Sequence, residues 1–546
     1  MKLSAAERGS VLQSMRDEEF DVAIVGGGIT GAGVARDAAS RGLKVALIEG
    51  SDFASGTSSR SSKLIHGGIR YLENLEFHLV FEALSERQRL FEMAPHLVHP
   101  LRFLLPVYKS GRVPAWKIGL GMWLYDALSL FEAPELSQFL DVNEVSEEFP
   151  ALQLNGLTGA FAYYDAYMDD DRLVMETLRS ARQHGAEIAN YVRATGVDFE
   201  GDFICAIECE DQLTKEKFPL RARHFVSSVG PWTDKLGQSF FKDWKKKLRP
   251  SKGVHLTFDK KRFQLHDAVV MGAESRIVFA IPRHEMVIVG TTDTDYPGDP
   301  AQVQTTKEDV DYLLHVVDQY FPGAKITRKD ILGTYAGVRP LIDDGAKTES
   351  KTSREHMIWT DPRGVTFVAG GKYTTYRNMA EQTVDEVLNY FSLEERVRYN
   401  RPKTLEPLNS IVTETLFERA KFEHPQWAKA CGLPEEITAK LADRHGLEAR
   451  LIIRQALPVF ARTANAEEWM WCAEALHAIE HTMCLTLTDF YLRRTHLVLA
   501  RADHGLPFAK AIAQVMGDRL GWDQRRRAEE INALQNQIAF ELSATT

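Results

Sequence analysis

Cysteine is scarce. There are five, Cys205, Cys209, Cys431, Cys472 and Cys484, an odd and scattered set in 546 residues. That excludes a disulfide framework and suits free thiols in a reducing compartment. Cys205 and Cys209 sit four apart with no second Cys or His pair at metal spacing behind them, so they read as structural. Long apolar runs are also missing. No stretch of about 18 uncharged apolar residues occurs, so nothing reads as a membrane-spanning helix. The opening residues, MKLSAAERGSVLQSMRDEEF, lack the apolar core of a secretory signal and are too acidic for an organellar transit peptide. Positive charge is not in excess: the formal net charge is -10, which removes nucleic acid as a general partner. No internal repeat, low-complexity segment, nucleophile elbow or Walker loop is found. What remains is ordinary soluble composition, 44% apolar and 26% charged, in a chain long enough for two or three domains.

The first informative stretch is DVAIVGGGITGAGVARDAASRGLKVALIE, Asp21 to Glu49. DVAIVG reads as a buried strand, ITGAGVARDAASRG as a helix stopped by Gly42, and LKVALIE as a second strand. Gly26, Gly28 and Gly31 form G-x-G-x-x-G between the first strand and the helix, and Glu49 closes the next strand. Such glycines let backbone reach a pyrophosphate, and the helix N-terminus favours its charge. An acid at the second strand's end accepts from ribose hydroxyls. Two features choose FAD over NAD. The hydroxyl-rich run SDFASGTSSRSS follows Glu49 at once, where Thr57, Ser58, Ser59 and Ser62 would let the chain run close along the diphosphate. There is no second fingerprint of this quality, so an organic substrate rather than NAD(P)H is expected to reduce the flavin.

The run continues as SSRSSKLIHGGIRYLE, Ser58 to Glu73, a poor core segment and an odd surface loop. Beside a flavin it reads as a site. A flavin oxidising an alcohol takes hydride at N5, and a base must take the hydroxyl proton. His66, with an ordinary pKa near 6.5, is a candidate base. Gly67 and Gly68 would let backbone approach the ring. Arg70 and Tyr71 add a cation and a phenol suited to an anionic substrate. The plainer alternative has His66 in a structural hydrogen bond and Arg70 paired with a surface acid such as Glu73. Three further places look alike. SKGVHLTF supplies Lys252 and His255, GVRPL supplies Arg339, and GGKYTTYRNMAE supplies Lys372 at an expected helix start. An arginine in a tight turn is costly without an anion, and its planar fork grips phosphate. A lysine at a helix N-terminus favours reduced flavin or a phosphate. Arg354 in TSREHMIW is a weaker candidate.

A helix is expected from about Asp171 to Gly185, carrying Leu173, Val174, Thr177, Leu178 and Ala181 on one face, with AEIANYV returning as a strand. From about 245 to 295 short β-rich segments suggest a separate, more antiparallel sheet. Segment 397–410 looks like a linker, and beyond it nearly everything reads as helix. The expected fold is α/β with an α+β substrate part. A Rossmann-like FAD-binding domain (20–110, 155–245 and 330–396) is interleaved with a β-rich substrate domain (111–154 and 246–329). A C-terminal all-helical domain (397–546) follows.

With these motifs in hand, the chain resembles the FAD-dependent, respiratory glycerol-3-phosphate dehydrogenases. GGGITGAGVARDAASRG, GTSSRSSKLIHGGIRYLE, RIVFAIP, GTTDTDYPGDP, YAGVRPL, GGKYTTYRNMAE and LTDFYLRRT carry the likeness, in order along essentially the whole chain. The resemblance implies oxidation of sn-glycerol 3-phosphate to dihydroxyacetone phosphate, with electrons passed from FAD to membrane quinone. It implies Arg70, Tyr71, Arg339 and Lys372, with Arg354 as a further candidate, at the substrate, and His66 or His255 as base. Lys63, Leu64, His66, Gly230, Gly371 and Thr374 join the fingerprint and hydroxyl run as candidate cofactor contacts. Two departures stand out: SSVGPW where the family usually has ATGPW, and Tyr373 where leucine is usual. The rivals are a glycerol-3-phosphate oxidase using oxygen, an amine or amino-acid oxidase of the same superfamily, and a flavin-containing sensor. The family's oxidases carry an internal insertion not seen here.

No metal site is expected. DTDYPGD starts like a calcium loop, but its twelfth position is Gln304, and it reads as a turn. Asp165, Asp169, Asp170 and Asp171 read as a turn and helix cap, and His96 and His99 lack a third ligand. Two segments suit a membrane surface. FKDWKKKLRPSK (241–252) is basic, and VPAWKIGLGMWLYDALSLF (113–131) is apolar and aromatic. These, with the family's habit, place the protein in the cytoplasm, attached peripherally to the inner face of the cell membrane. For the C-terminal helices two roles stay open, covering the FAD domain or supporting a homodimer.

Overall fold

The computed structural model describes residues 2–545 other than 70, 71, 73–75, 112, 131, 133, 274, 275, 344 and 346–354. Two sheets share the first 370 residues. The first runs His356–Asp361, Val365–Gly370, Lys217–Ser227, Phe20–Val25, Val45–Ile48, Glu187–Ala189. The five strands from Val365–Gly370 to Glu187–Ala189 pair in parallel, His356–Asp361 pairs antiparallel at the edge, and Phe203–Asp211 pairs antiparallel with Lys217–Ser227 off this path. Phe20–Val25 and Val45–Ile48 are almost wholly buried, because both faces are covered, one by helices and the other by helix Arg8–Asp17 together with antiparallel strands that include Phe203–Asp211. On one side lie Ile29–Ser40, Asp170–Gln183 and Tyr376–Leu388. Gly33 permits close packing there, since an added Cβ would sit 3.0 Å from Ala380 and from Tyr376. The expected helix after Asp169 is present as Asp170–Gln183, with its apolar stripe buried.

The second sheet is mostly antiparallel, in the order Thr294–Asp295, Ser251–Asp259, Met286–Gly290, Arg276–Arg283, Ala268–Ala273, Val98–Tyr108, Leu157–Met168, Leu64–Ile65. Ile331–Arg339 adds to Ser251–Asp259. The helix Lys307–Tyr320 closes its core through Val310, Leu313, Val316 and Val317. Three strands that the sequence places in the dinucleotide part, Val98–Tyr108, Leu157–Met168 and Ile331–Arg339, pair in this sheet instead. They are buried for most of their length, Ile331–Arg339 continuously from Gly333 to Val338, and burial of that kind carries no mark of which sheet they will join.

Segment 397–410 is not a free linker. Arg36 donates to the carbonyls of Thr404 (2.7 Å) and Glu406 (2.6 Å), Leu408 is buried, and its N–H bonds the Met93 carbonyl. From Glu414 onward the chain is helical through Gln524–Leu542, around one core that includes Trp469, Leu487, Phe490, Ile512 and Leu534.

Candidate active site

The fingerprint folds as its glycines require. Gly26 has φ +113°, and a Cβ on Gly31 would lie 1.9 Å from the Gly26 carbonyl oxygen. The helix Ile29–Ser40 starts behind Gly28. Ser58 Oγ accepts from Ile29 N–H at 3.0 Å, while helix geometry leaves Thr30 and Gly31 N–H without intrahelical acceptors. A Cβ at Gly28 would meet only Ser58 Oγ within 4 Å, and one at Gly230 (φ +54°) would meet nothing. The space in front of the helix is therefore open and electropositive, which fits a diphosphate. Glu49 accepts N–H bonds from Gly27 (2.7 Å) and Ser51 (2.9 Å), and burial raises its pKa.

The hydroxyl run does more stapling than the sequence suggests. Thr57 Oγ1 donates to the Val338 carbonyl at 2.6 Å, and Ser61 bonds the buried Asp170. Lys63 sends its ammonium to Asp170 and to the Ser59 carbonyl, and lies over the Tyr335 ring. What Lys63 can offer a cofactor is therefore its main chain. Leu64 is buried in a short strand against Tyr167.

Ser62 leads to the chemistry. Its Oγ sits 2.9 Å from His255 Nε2. His255 is buried and stacks on Tyr335 at 4.7 Å between ring centroids. Tyr335, His255, Gly290 and Phe279 form one row across four adjacent strands. Gly290 makes the row possible, because a Cβ there would come 2.2 Å from His255 Cδ2. His66 meets the far end of the row, edge-on to Phe279 at 6.2 Å. Its main-chain N–H also bonds Thr374 Oγ1 at 3.3 Å. Thr374 follows Gly371 (φ +79°) and Lys372 at the junction of strand Val365–Gly370 and helix Tyr376–Leu388. Arg339 ends strand Ile331–Arg339, and three residues later Ile342 packs on Gly370. The structure thus brings His66, His255 and the Arg339 and Lys372 segments to one place, between the two sheets and beside the fingerprint. Arg70, Tyr71 and Arg354 lie outside the described residues.

Arg339 departs from expectation. Its anion is a protein one, Asp293 at 3.1 Å, and it also donates to Thr291 Oγ1 at 2.8 Å. The DTDYPGD segment, set aside as a turn, supplies this partner. Lys252 likewise pairs with Asp309 at 2.5 Å rather than facing the site. The aspartate cluster is not one cap. Asp165 lies in a strand and pairs with Arg87 at 2.6 Å, Asp169 takes Arg172 and Arg283, and Asp170 takes Lys63. His255 is held well below the usual histidine range, first by burial and then by Arg339 and Lys63. It is neutral at neutral pH. Its Nδ1 has no hydrogen-bond partner among the described residues. Sequence reading missed Tyr335, Phe279 and Gly290. YAGVRPL and RIVFAIP contain two of them, but no local pattern says they face a histidine.

Among the described residues, Glu448, His477 and His481 sit at metal spacing in the helical region. Arg179 already grips both oxygens of Glu448, at 2.5 and 3.0 Å, so this grouping is an ion-pair network.

Residues 21–377 match the FAD dependent oxidoreductase family, and residues 416–527 match the C-terminal domain of alpha-glycerophosphate oxidase. The class is thus a flavin-dependent oxidoreductase. The aerobic glycerol-3-phosphate dehydrogenase of Staphylococcus saprophyticus is 34% identical over 545 residues, covering 98% of this chain and 97% of the relative. That of Staphylococcus epidermidis is 35% identical over 535 residues, 96% of each. The solved glycerol-3-phosphate dehydrogenase of Bacillus halodurans, complexed with FAD, is 28% identical with a TM-score of 0.81 over 99% of both chains. Glycine oxidase from Bacillus cereus, 19% identical with a TM-score of 0.52, shares the fold over 68% of this chain. The chain belongs to the FAD-dependent oxidoreductases and, within them, to the aerobic glycerol-3-phosphate dehydrogenase family.

Proposed function

We propose that this chain oxidises sn-glycerol 3-phosphate to dihydroxyacetone phosphate and passes the electrons to membrane quinone. The observation that carries the reading is the row Tyr335–His255–Gly290–Phe279, ending at His66, on the sheet face that meets the fingerprint. Gly26, Gly28, Gly31, Glu49, the 57–66 segment, Gly230, Gly371 and Thr374 would hold FAD. When bound, FAD supplies the acceptor for the C2 hydride. Arg339, which Asp293 and Thr291 hold in place, shares its guanidinium with the substrate phosphate, and Lys372, Arg70, Tyr71 and Arg354 join it at the phosphate and hydroxyls.

The two histidines divide the proton work. Burial and two cations oppose protonation of His255, so it makes a poor proton sink and a good neutral hydrogen-bond partner for the substrate hydroxyl. His66, half-buried at the end of the row, takes the C2 hydroxyl proton. The decisive experiment adds sn-glycerol 3-phosphate to the protein without oxygen and follows the oxidised flavin band. Bleaching within a turnover supports the reading. Bound flavin that stays oxidised sinks it.

Quinone as acceptor needs contact with lipid. The helix Ala115–Leu128 turns Trp116 (73% exposed), Leu120 (59%) and Trp123 (61%) to solvent while Met122 and Tyr125 are buried. Lys242, Lys245 and Lys246 are exposed in the basic segment, although its Trp244 packs against Phe367. No helix among the described residues is long and apolar enough to cross a membrane. We place the enzyme at the cytoplasmic face of the cell membrane. Quinone-dependent turnover exceeding peroxide yield in air supports quinone, and the reverse identifies an oxidase.

A further inference from the structure

We infer that the C-terminal helical domain is a cofactor-retention element: Arg493 and Arg494 reach across to Asp52 and so fix the Glu49–Asp52 turn that holds the ribose end of FAD. This rests on the FAD reading of the fingerprint.

Asp52 lies three residues beyond Glu49, with its side chain fully enclosed. Arg493 Nε reaches its Oδ2 at 2.6 Å. Arg494 grips both oxygens, Nη1 to Oδ2 at 2.8 Å and Nη2 to Oδ1 at 2.9 Å, and Asn190 Nδ2 adds a bond to Oδ1 at 3.1 Å. The arginines are themselves fixed within the helical domain. Arg494 donates to Thr482 Oγ1 (2.8 Å) and to the Thr482 carbonyl (3.0 Å), and Arg493 to Asp489 (2.5 Å). Asp489 accepts from Tyr191 OH at 2.7 and 2.8 Å. The main chain of Tyr191 then closes the circuit, its N–H bonding the Ser51 carbonyl at 2.9 Å. Ser51 N–H holds one oxygen of Glu49, and Gly27 N–H holds the other. The turn is thus held by the fingerprint on one side and by residues more than 400 positions away on the other. Two carboxylates match two guanidinium ions, so the buried cluster is charge-balanced, and removing one partner leaves an uncompensated charge. Desolvation would raise Asp52, but Arg494 and Arg493 outweigh it and hold it at about 2, so the clamp stays ionised at neutral pH.

A purely structural clamp would cost stability and leave cofactor affinity alone. A positioning clamp loosens Glu49, and FAD affinity falls. The test is a titration of deflavinated full-length protein with FAD, followed by quenching of flavin fluorescence, with circular dichroism confirming the fold. Arg494→Gln is expected to weaken FAD binding at least tenfold and to speed flavin release, with partial rescue in Arg494→Lys. Arg501→Gln, which breaks contacts with Glu467 and Asp503 inside the helical domain and does not touch the clamp, should lower the melting point and leave FAD affinity within twofold. Tyr191→Phe removes the hydroxyl from Asp489 without stranding an arginine, and should weaken FAD about threefold. It decides the matter if Arg494→Gln does not fold. Folded Arg494→Gln or Tyr191→Phe with wild-type FAD affinity and release overturns the inference and leaves the family's use of FAD intact. Wild-type protein that binds no FAD overturns both.

Discussion

Gly290 shows how one missing carbon shapes this site. It lets His255 lie flat between Tyr335 and the neighbouring strand, where any larger residue would collide with the imidazole. The two histidines then differ in surroundings, and a pH profile can separate them. His66→Gln is expected to lower kcat by about 10²–10⁴-fold, the usual worth of a general base, and to abolish the acidic limb of kcat/KM. His255→Gln should lower kcat but keep that limb. The opposite pattern would exchange their roles. Arg339→Ala should raise KM for the phosphorylated substrate by about tenfold or more, since charge-assisted bonds are worth about 1.5–3 kcal/mol. Steady-state kinetics with unchanged KM would remove Arg339 from the phosphate site.

The helix Ala115–Leu128 makes two kinds of contact. Outward it shows two tryptophans and a leucine to solvent. Inward, Tyr125 donates to Asp165 at 2.7 Å and accepts from Gly67 N–H at 3.0 Å, one residue from His66. The same element therefore touches the proposed lipid face and the backbone beside the candidate base. Replacing both Trp116 and Trp123 with serine should cut binding to anionic vesicles about tenfold or more, given roughly 1.5–3 kcal/mol for burying a large apolar side chain. Turnover with a soluble dye acceptor should stay within twofold. Vesicle co-sedimentation that does not change would take this helix off the membrane.

Across the whole molecule, buried titratable groups set the response to acid. Burial is the first cause holding His96, His99, His224, His255, His284, His445 and His496 below their ordinary value. Such groups stay neutral in the native state and take up protons on unfolding. They cost nothing above about pH 6.5 and destabilise progressively below it. Burial pushes Asp37, Asp171 and Asp489 up to about 6, and Glu49 up as well, which acts in the opposite direction between roughly pH 4 and 6. The histidines outnumber them. Stability should fall from pH 7.5 to pH 5 by at least ~1.4 kcal/mol per pH unit near the lower end. Thermal melts at fixed FAD concentration check this, and a melting point that rises on acidification contradicts it.

The cofactor fold was legible because its signals are local. A strand, three glycines, a helix and an acid fall within thirty residues, and each glycine answers a steric demand of its own neighbourhood. The β-rich second sheet and the helical C-terminal third were also readable from periodicity. The rest was decided by contacts between distant segments. Which sheet takes Val98–Tyr108 depends on partners from residue 157 onward, and the anion for Arg339 comes from a segment that reads locally as a turn. Asp52 gives no sign in sequence that Arg493 and Arg494 will close on it. Backbone conformation is set by near neighbours, so sequence determines it. Burial, charge partners and the facing of His255 toward Gly290 depend on which surfaces meet, and only the tertiary structure decides that.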